Sequence, residues 1–471
     1  MKLSMDFYQY TLNISYIIIS SLYIFSLLRN KFHFSLFVFL AAVPLKHVYI
    51  TIFGHYLELW KLLSLMTLPV TLNYFVDYFS KYRLLRIIYS YFFVSFLSSF
   101  LGIFVSNCIG NNVALNIDLR TIFTQQIQLI SFLNLILIPI VLSRNNYDVI
   151  IKSIKIYILS LFALSILGML QFVVFYFFGE NIFPIPRMTG EFQEEVFLNY
   201  MGGERVDALF RVTSLSMEPK NLAAYLATGV IFLVELRQSL RRPAFGPTLD
   251  IVSLLSMLVC LIMTYSTLGF GIIAIYLSVK IIFIKKNYFI LTLFIPLLPL
   301  LFTDIGRHVI DIVNDRLYYR VVNFGFMEDF DLATWDFLVD NPIFILTGMG
   351  YGNTHIMAVD YLPFFAEWAS GGRWHAKMGL LYVLSATGVI GVLFFGTLIL
   401  VAFRYAKKST LSPMNGFNQN TLTTFSLLYF FRHTEMTFIV VGIVFSIYAT
   451  NEIKINKSNR QLHKKIGCIH V

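Results

Sequence analysis

The sequence predicts an all-α polytopic membrane protein, and three observations predict it. Of 471 residues, 57% are hydrophobic and 13% charged, against about 25% charged in soluble domains. Apolar runs of about 20 residues, the length that spans a hydrocarbon core, recur along nearly the whole chain. Basic residues gather in short connections at every second gap between those runs, which is the positive-inside pattern.

In chain order, helices are expected near 11–28, 34–53, 57–77, 87–106, 122–142, 155–178, 213–235, 250–266, 268–284, 288–303 and 378–403. The first run has no A-x-A cleavage site after it and is expected to be a retained helix rather than a cleaved signal. The stretch 417–450 fits one long span or two short ones broken at Arg432-His433-Thr434-Glu435. The expectation is therefore about 11 to 13 spans.

Orientation follows from the bases. Arg29/Lys31, Lys81/Arg83/Arg86, Arg144/Lys152/Lys155, Arg237/Arg241/Arg242, Lys280/Lys285/Lys286 and Arg404/Lys407/Lys408 occupy alternate connections and are assigned to the cytoplasm. Segments 179–212 and 304–377 then face outward, as does the turn at Ser266-Thr267. The basic tail 452–471 is placed inside, which favours two short spans in 417–450, and the N-terminus comes out external. The two long segments hold sixteen acidic residues and eight Lys/Arg, leaving ten acids against 28 bases elsewhere. A net charge of +10 distributed in this way reflects membrane topology and excludes nucleic acid as a partner.

The chain reads as one membrane domain, 1–471, with an external insertion. Segment 304–377 is long for a connector, and long loops are usually functional. Within it, Asp329 to Val339 fits a short amphipathic helix with Phe330, Leu332, Ala333, Phe337 and Leu338 as its apolar residues, ended by Asp340-Asn341-Pro342. Cys108, Cys260 and Cys468 are too widely spaced for a disulfide framework or a metal cluster.

Four constellations carry chemistry. The first is Arg211-Val-Thr213-Ser214-Leu-Ser216-Met-Glu218-Pro219-Lys220, where an external loop enters a helix. Arg211 suits bidentate contact with a diphosphate; it also fits a charge that snorkels to the interface. Glu218 fits a partner for Lys220 or for a cation across the bundle, and Pro219 a kink. The second is Thr264-Tyr265-Ser266-Thr267-Leu-Gly269, a polar turn whose hydroxyls would contact a head group or only pack. The third, Asn341-Pro342 through Gly348-x-Gly350-x-Gly352-Asn353, lacks the Gly-Lys-Ser/Thr ending and preceding strand of a nucleotide loop; a shaping turn is expected. The fourth is Gly371-Gly372-Arg373-Trp374-His375-Ala376-Lys377, followed by Thr387-Gly388-Val-Ile-Gly391. His375 stands where the external segment returns to the membrane. Arg373 and Lys377 disfavour its charged form, which suits a base. No His, Cys or carboxylate lies nearby at ligand spacing, so no metal is expected.

Taken in order, these constellations resemble the bacterial O-antigen polymerase and O-antigen ligase superfamily. Its members show an Arg before a Ser/Thr-rich, Glu-Pro helix start, then a Thr-x-Ser-Arg-type turn. An Asn-Pro…Gly-x-Gly-x-Gly-Asn loop follows, and last a His-Asn opening a helix with Gly-x-x-Gly. The matching residues are Arg211/Glu218/Pro219, Thr264/Ser266, Asn341/Pro342/Gly348/Gly350/Asn353 and His375/Gly388/Gly391, over roughly 205–395. Two positions depart: Thr267 stands where many members carry Arg, and Ala376 where many carry Asn. A second diphosphate cation would come from elsewhere, with Arg320 ranked ahead of Arg316, Arg307 and Arg205.

The resemblance implies a membrane-embedded, glycosyltransferase-like bundle with a large external loop. It implies metal-independent, cofactor-free transfer of an undecaprenyl-diphosphate-linked oligosaccharide at the periplasmic face of the bacterial inner membrane. His375 is the implied base, Arg211 and Arg320 the diphosphate contacts, and Glu218, Ser266 and Arg373 supporting residues. The leading activity is polymerase of O-antigen or capsule repeat units, working with a chain-length regulator and a flippase. An O-antigen ligase acting on lipid A-core and a flippase for the same lipid are the alternatives.

Overall fold

The computed structural model describes residues 2–46, 48–52, 55–78, 82–108, 119–144, 146–179, 182, 210–216, 218–283, 329–362, 374–408, 414–432 and 435–450. The expected helix at 288–303, the tail 452–471, most of 179–212, and Arg205, Arg307, Arg316, Arg320 and Arg373 lie outside the described residues.

The described chain is almost entirely helical. Its elements in order are α1 (Lys2–Leu28), α2 (Phe32–Ala42), β1 (Tyr49–Ile52), β2 (His55–Glu58), α3 (Leu59–Tyr78), α4 (Arg83–Cys108), α5 (Leu119–Ser143) and α6 (Tyr147–Phe178). Then come α7 (Pro219–Leu240), α8 (Pro247–Met263), α9 (Thr267–Phe283), α10 (Asp329–Asp340), α11 (Ile343–Thr347), α12 (Thr354–Met357) and a 3-10 turn at Val359–Tyr361. The last three are α13 (Gly379–Lys408), α14 (Asn415–Phe431) and α15, over 435–450. Among the described residues, six helices are long and apolar enough to cross a bilayer, within α1, α4, α5, α6, α7 and α13. Four shorter apolar helices are α2, α8, α9 and α15. Outward faces carry bare apolar side chains, Ile17 on α1, Phe104 on α4 and Phe177 on α6 among them, as a hydrocarbon solvent permits. The stretch 417–450 is broken into two helices, α14 ending where Arg432 adopts an extended backbone.

Two expectations are corrected. The helix predicted over 34–53 stops at Ala42, and Tyr49–Ile52 and His55–Glu58 pair as antiparallel strands with Tyr49 opposite Glu58 and Ile50 opposite Leu57. Pro44 has no N–H to continue the helix, and the β-branched and aromatic residues after Val48 favour extended backbone. Pro219 does not kink a helix but starts one: it is the first residue of α7, where its missing N–H costs nothing.

The described residues group into two compact units. The first comprises 1–66 and 142–283. In it α6 packs against α2, α7 and α8, and α9 against α7. α6 is 32 residues long, about 48 Å, and so exceeds a hydrocarbon core of about 30 Å. Asn146 caps its start by accepting from the N–H groups of Asp148 and Val149, and Gly179 ends it in the left-handed region.

The second unit comprises 67–141 and 284–471. α13 is its centre, contacting α4, α10, α11 and α14. Aromatic rings fill the contacts, Phe395 stacking on Tyr429 at 4.6 Å and Tyr82 meeting Phe445 edge-on at 5.2 Å. α13 is interrupted at Gly388, where φ is 65° and ψ −171°.

Candidate functional site

Local chemistry joins the four sequence constellations in pairs, the first with the second in unit one and the third with the fourth in unit two. Arg211 therefore lies in one unit and His375 in the other.

In unit one the segment before α7 is non-helical and buried. Non-helical backbone among membrane helices is tolerated only where the protein satisfies its polar groups. Gln171 of α6 does this: its Oε1 accepts from Thr213 N at 3.0 Å and Ser214 N at 2.8 Å, and its Nε2 donates to Thr213 Oγ1 at 3.1 Å. Ser214, with φ 47°, donates through Oγ to Leu164 O at 3.0 Å, and Ser216 to Pro44 O at 2.9 Å. The close approach depends on Gly168, where a Cβ would lie 2.7 Å from Cys260 Sγ and 2.8 Å from Val212.

Arg211 is tied to the end of α8. Its Nε donates to Thr264 O at 3.0 Å and one Nη to Tyr265 O at 3.5 Å, while Val212 N donates to Met263 O at 3.2 Å. A guanidinium here satisfies terminal carbonyls and complements the negative end of the helix dipole. Ser266 and Thr264 in the same turn are buried, Thr264 Oγ1 donating back to Leu261 O at 2.6 Å. Burial pushes the Tyr265 phenol above its ordinary range, with Tyr176 adding to the effect. Glu218 is the residue before α7 and pairs with Lys220 at 2.8 Å, both about half exposed. Of its two expected partners, the neighbouring lysine is the one observed.

Unit one also holds a charge pair that the sequence patterns did not single out. Lys280, counted among the cytoplasmic connections, is buried in α9 against the Glu235 carboxylate of α7. Tyr276 OH donates to Glu235 at 2.6 Å, and Lys280 Nζ donates to Gln238 Oε1 at 2.6 Å. The signal was available: Glu235 is an acid inside an apolar run, and such residues need partners.

In unit two the glycine loop closes the break in α13. Gly388 releases the carbonyls of Ser385 and Ala386 from the helix, and Met349 N and Gly350 N take them at 2.7 and 3.1 Å. Gly348, Gly350 and Gly352 all have φ between 73° and 94°, the left-handed region that glycine enters without strain. On its other side the loop meets α4 and α5. Gln125 Nε2 donates to Gly352 O at 3.0 Å, and a Cβ on Gly102 would stand 2.5 Å from Met349 O. Asn353 Nδ2 donates within the loop to Met349 O at 3.0 Å.

His375 lies immediately ahead of α13. It is exposed, between buried Trp374 and buried Ala376. α10 holds this stretch, and the helix expected over Asp329–Val339 is found there. Asp331, buried at 1% exposure, accepts through Oδ1 from Lys377 N at 2.6 Å and Met378 N at 2.9 Å. Phe330 stacks on Trp374 at 5.2 Å, and Lys377 Nζ lies over the Phe330 ring at 4.7 Å. The His375 ring sits edge-to-face on Tyr382 at 5.0 Å, and Tyr382 meets Tyr351 of the glycine loop at 5.7 Å. The buried face of α10 therefore carries Asp331 and Thr334 beside Ala333, Phe337 and Leu338, which an apolar count alone does not reveal.

Helices with lipid-exposed apolar faces and irregular segments sealed inside them define a multi-pass α-helical membrane protein. Comparison with family models, curated proteins and solved structures returned no match for this chain.

Proposed function

We propose that this protein is a polysaccharide polymerase of the bacterial inner membrane. It transfers undecaprenyl-diphosphate-linked oligosaccharide onto a second lipid-linked unit at the periplasmic face. The observation that carries the reading is His375, an exposed imidazole on non-helical backbone, in a stretch held by Asp331 and α10 at the mouth of a membrane helix. In the reaction, the acceptor hydroxyl oxygen attacks the anomeric carbon of the donor. The bond from that carbon to the diphosphate oxygen breaks, the diphosphate leaves with the electron pair, and His375 takes the hydroxyl proton. Arg211 and Arg320 stabilise the charge gained by the diphosphate, supported by Glu218, Ser266 and Arg373. Neither metal nor cofactor has a part in this scheme. A flippase supplies the donor and a chain-length regulator limits the product.

An O-antigen ligase would use the same base with lipid A-core as acceptor, so the acceptor is what separates the two. A flippase is the third reading. Transporter repeats typically carry corresponding broken helices in both halves, and the sequence offers no such pair.

The test is elongation of a purified lipid-diphosphate-linked repeat by the reconstituted protein with EDTA present. A ladder of products that disappears with His375→Ala is expected. Transfer only to lipid A-core would establish the ligase, and movement of the lipid between leaflets without bond formation would establish the flippase.

A further inference from the structure

Segment 304–377 reads from sequence as a water-exposed loop, yet part of it packs against α13, a helix long and apolar enough to cross a bilayer. The backbone of Leu346 lies against Gly388, where a Cβ would meet Leu346 O at 2.2 Å. Gly388 is nine residues into α13, about 13 Å along the axis. α13 has 30 residues, about 45 Å, against a core of about 30 Å. A centred helix leaves about 7 Å outside at each end, which puts Gly388 about 6 Å below the hydrocarbon boundary. The adjoining glycine loop is buried and its backbone is bonded to α13, as irregular backbone at that depth requires.

The outer side of the same segment is apolar. Trp335, Val339, Ile343 and Leu346 are 42%, 55%, 43% and 64% exposed. Trp335 and Val339 are one turn apart on α10, and Ile343 and Leu346 continue the stripe on α11. α11 packs against α13, a helix whose own Ile390 and Leu393 are 54% and 65% exposed. Those two side chains belong to a membrane-spanning helix and meet lipid. Asp336 and Asp340 form the neighbouring exposed stripe of α10, so the helix separates an apolar side from an acidic one.

We infer that α10 and α11 form a re-entrant element of the outer leaflet whose apolar stripe contacts lipid acyl chains. The packing of α11 on a helix long and apolar enough to cross a bilayer argues for lipid as the occupant. Depth is graded along the stripe: Leu346 is deepest, Ile343 next, and Trp335 sits at the interface that tryptophan prefers. Asp336 and Asp340 point to water and head groups.

The experiment places a nitroxide on single cysteines introduced as Leu346→Cys, Ile343→Cys, Asp336→Cys and Asp360→Cys. The background is a chain with Cys108, Cys260 and Cys468 replaced, reconstituted in phosphatidylcholine vesicles. Collisions with oxygen and with a water-soluble nickel chelate are compared. Positions 346 and 343 are expected to favour oxygen several-fold, and positions 336 and 360 the chelate. Chelate access at 346 and 343 equal to that at 360 overturns the inference, as does shielding from both reagents, which would mean a protein occupant. Cys260 is buried, and where its replacement lowers yield the unmodified chain serves instead. In vesicles brominated near the glycerol end of the acyl chains, Trp335→Phe is expected to remove much of the tryptophan quenching. An unchanged quenched fraction overturns the inference.

Discussion

Asp331 accepts a 2.9 Å hydrogen bond from Met378 N, so a carboxylate on one helix caps the start of another. α13 has no Ser, Thr, Asp or Asn just before Gly379, and Asp331 instead fixes the backbone N–H groups of the two residues that lead into it, Lys377 and Met378. Removing it leaves two part-buried donors unpaired, at a cost of up to about 1–3 kcal/mol. Asp331→Ala is expected to lower the melting temperature in detergent and to reduce turnover together. Asp331→Asn keeps an acceptor oxygen and should retain most of both. An Asp331→Ala protein with unaltered melting would show that the cap is dispensable.

The Gly348–Gly388 contact predicts a sharp contrast along α13. A Cβ on Gly388 would meet Leu346 O at 2.2 Å, and one on Gly348 would meet Ala386 O at 2.7 Å, with both backbones at positive φ. Gly388→Ala and Gly348→Ala should each strongly reduce folded protein in the membrane. Gly396 lies farther along α13, and a Cβ there would meet nothing within 4 Å, so Gly396→Ala should be neutral or slightly stabilising. Equal abundance of all three variants by quantitative blotting would contradict this contrast.

The Glu235–Lys280 pair is expected to behave as a coupled unit. Breaking a buried pair typically costs about 3–5 kcal/mol because one charge is left alone, while replacing both with apolar residues is often close to neutral. Glu235→Gln and Lys280→Met should each destabilise the protein, and Glu235→Leu with Lys280→Met should recover much of the loss. Additive single-variant losses in the double variant, measured by thermal unfolding, would count against the coupling.

Helices with long apolar runs were legible because composition alone distinguishes a spanning segment. The pairing of β1 with β2 was not, since Val48-Tyr49-Ile50-Thr51-Ile52 is as apolar as a helix and carries no period over so short a run. His375 and Arg211 were singled out for their positions at expected membrane boundaries. Their supports were not, because Asp331 and Gln171 act over 46 and 42 residues of sequence separation, and spacing rules see only neighbours. Gln171 did leave a trace, as a polar amide in the apolar run of α6. The glycine loop read as a turn, and its docking on a helix break required the fold.

His375 and Arg211 separate chemistry from architecture, each within its own unit. His375 is exposed and its neighbours hold the backbone, so His375→Ala should leave the melting temperature nearly unchanged. Loss of a general base typically costs about 10²–10⁴ in rate, so polymer ladders should vanish at equal membrane abundance. Tyr382→Phe keeps the ring under the imidazole and should retain most activity. Arg211 holds Thr264 and Tyr265 carbonyls at the end of α8, so Arg211→Ala should lower stability as well as turnover. Arg211→Lys keeps the charge but loses the planar fork. Under the proposed diphosphate role its KM for the lipid donor should rise beyond what its melting temperature explains. A purely architectural role would move only the melting temperature. Arg242→Ala, on the exposed connection after α7, is the control and should match the parent. Normal ladders from both His375→Ala and Arg211→Ala would refute the assigned chemistry and turn attention to Arg320.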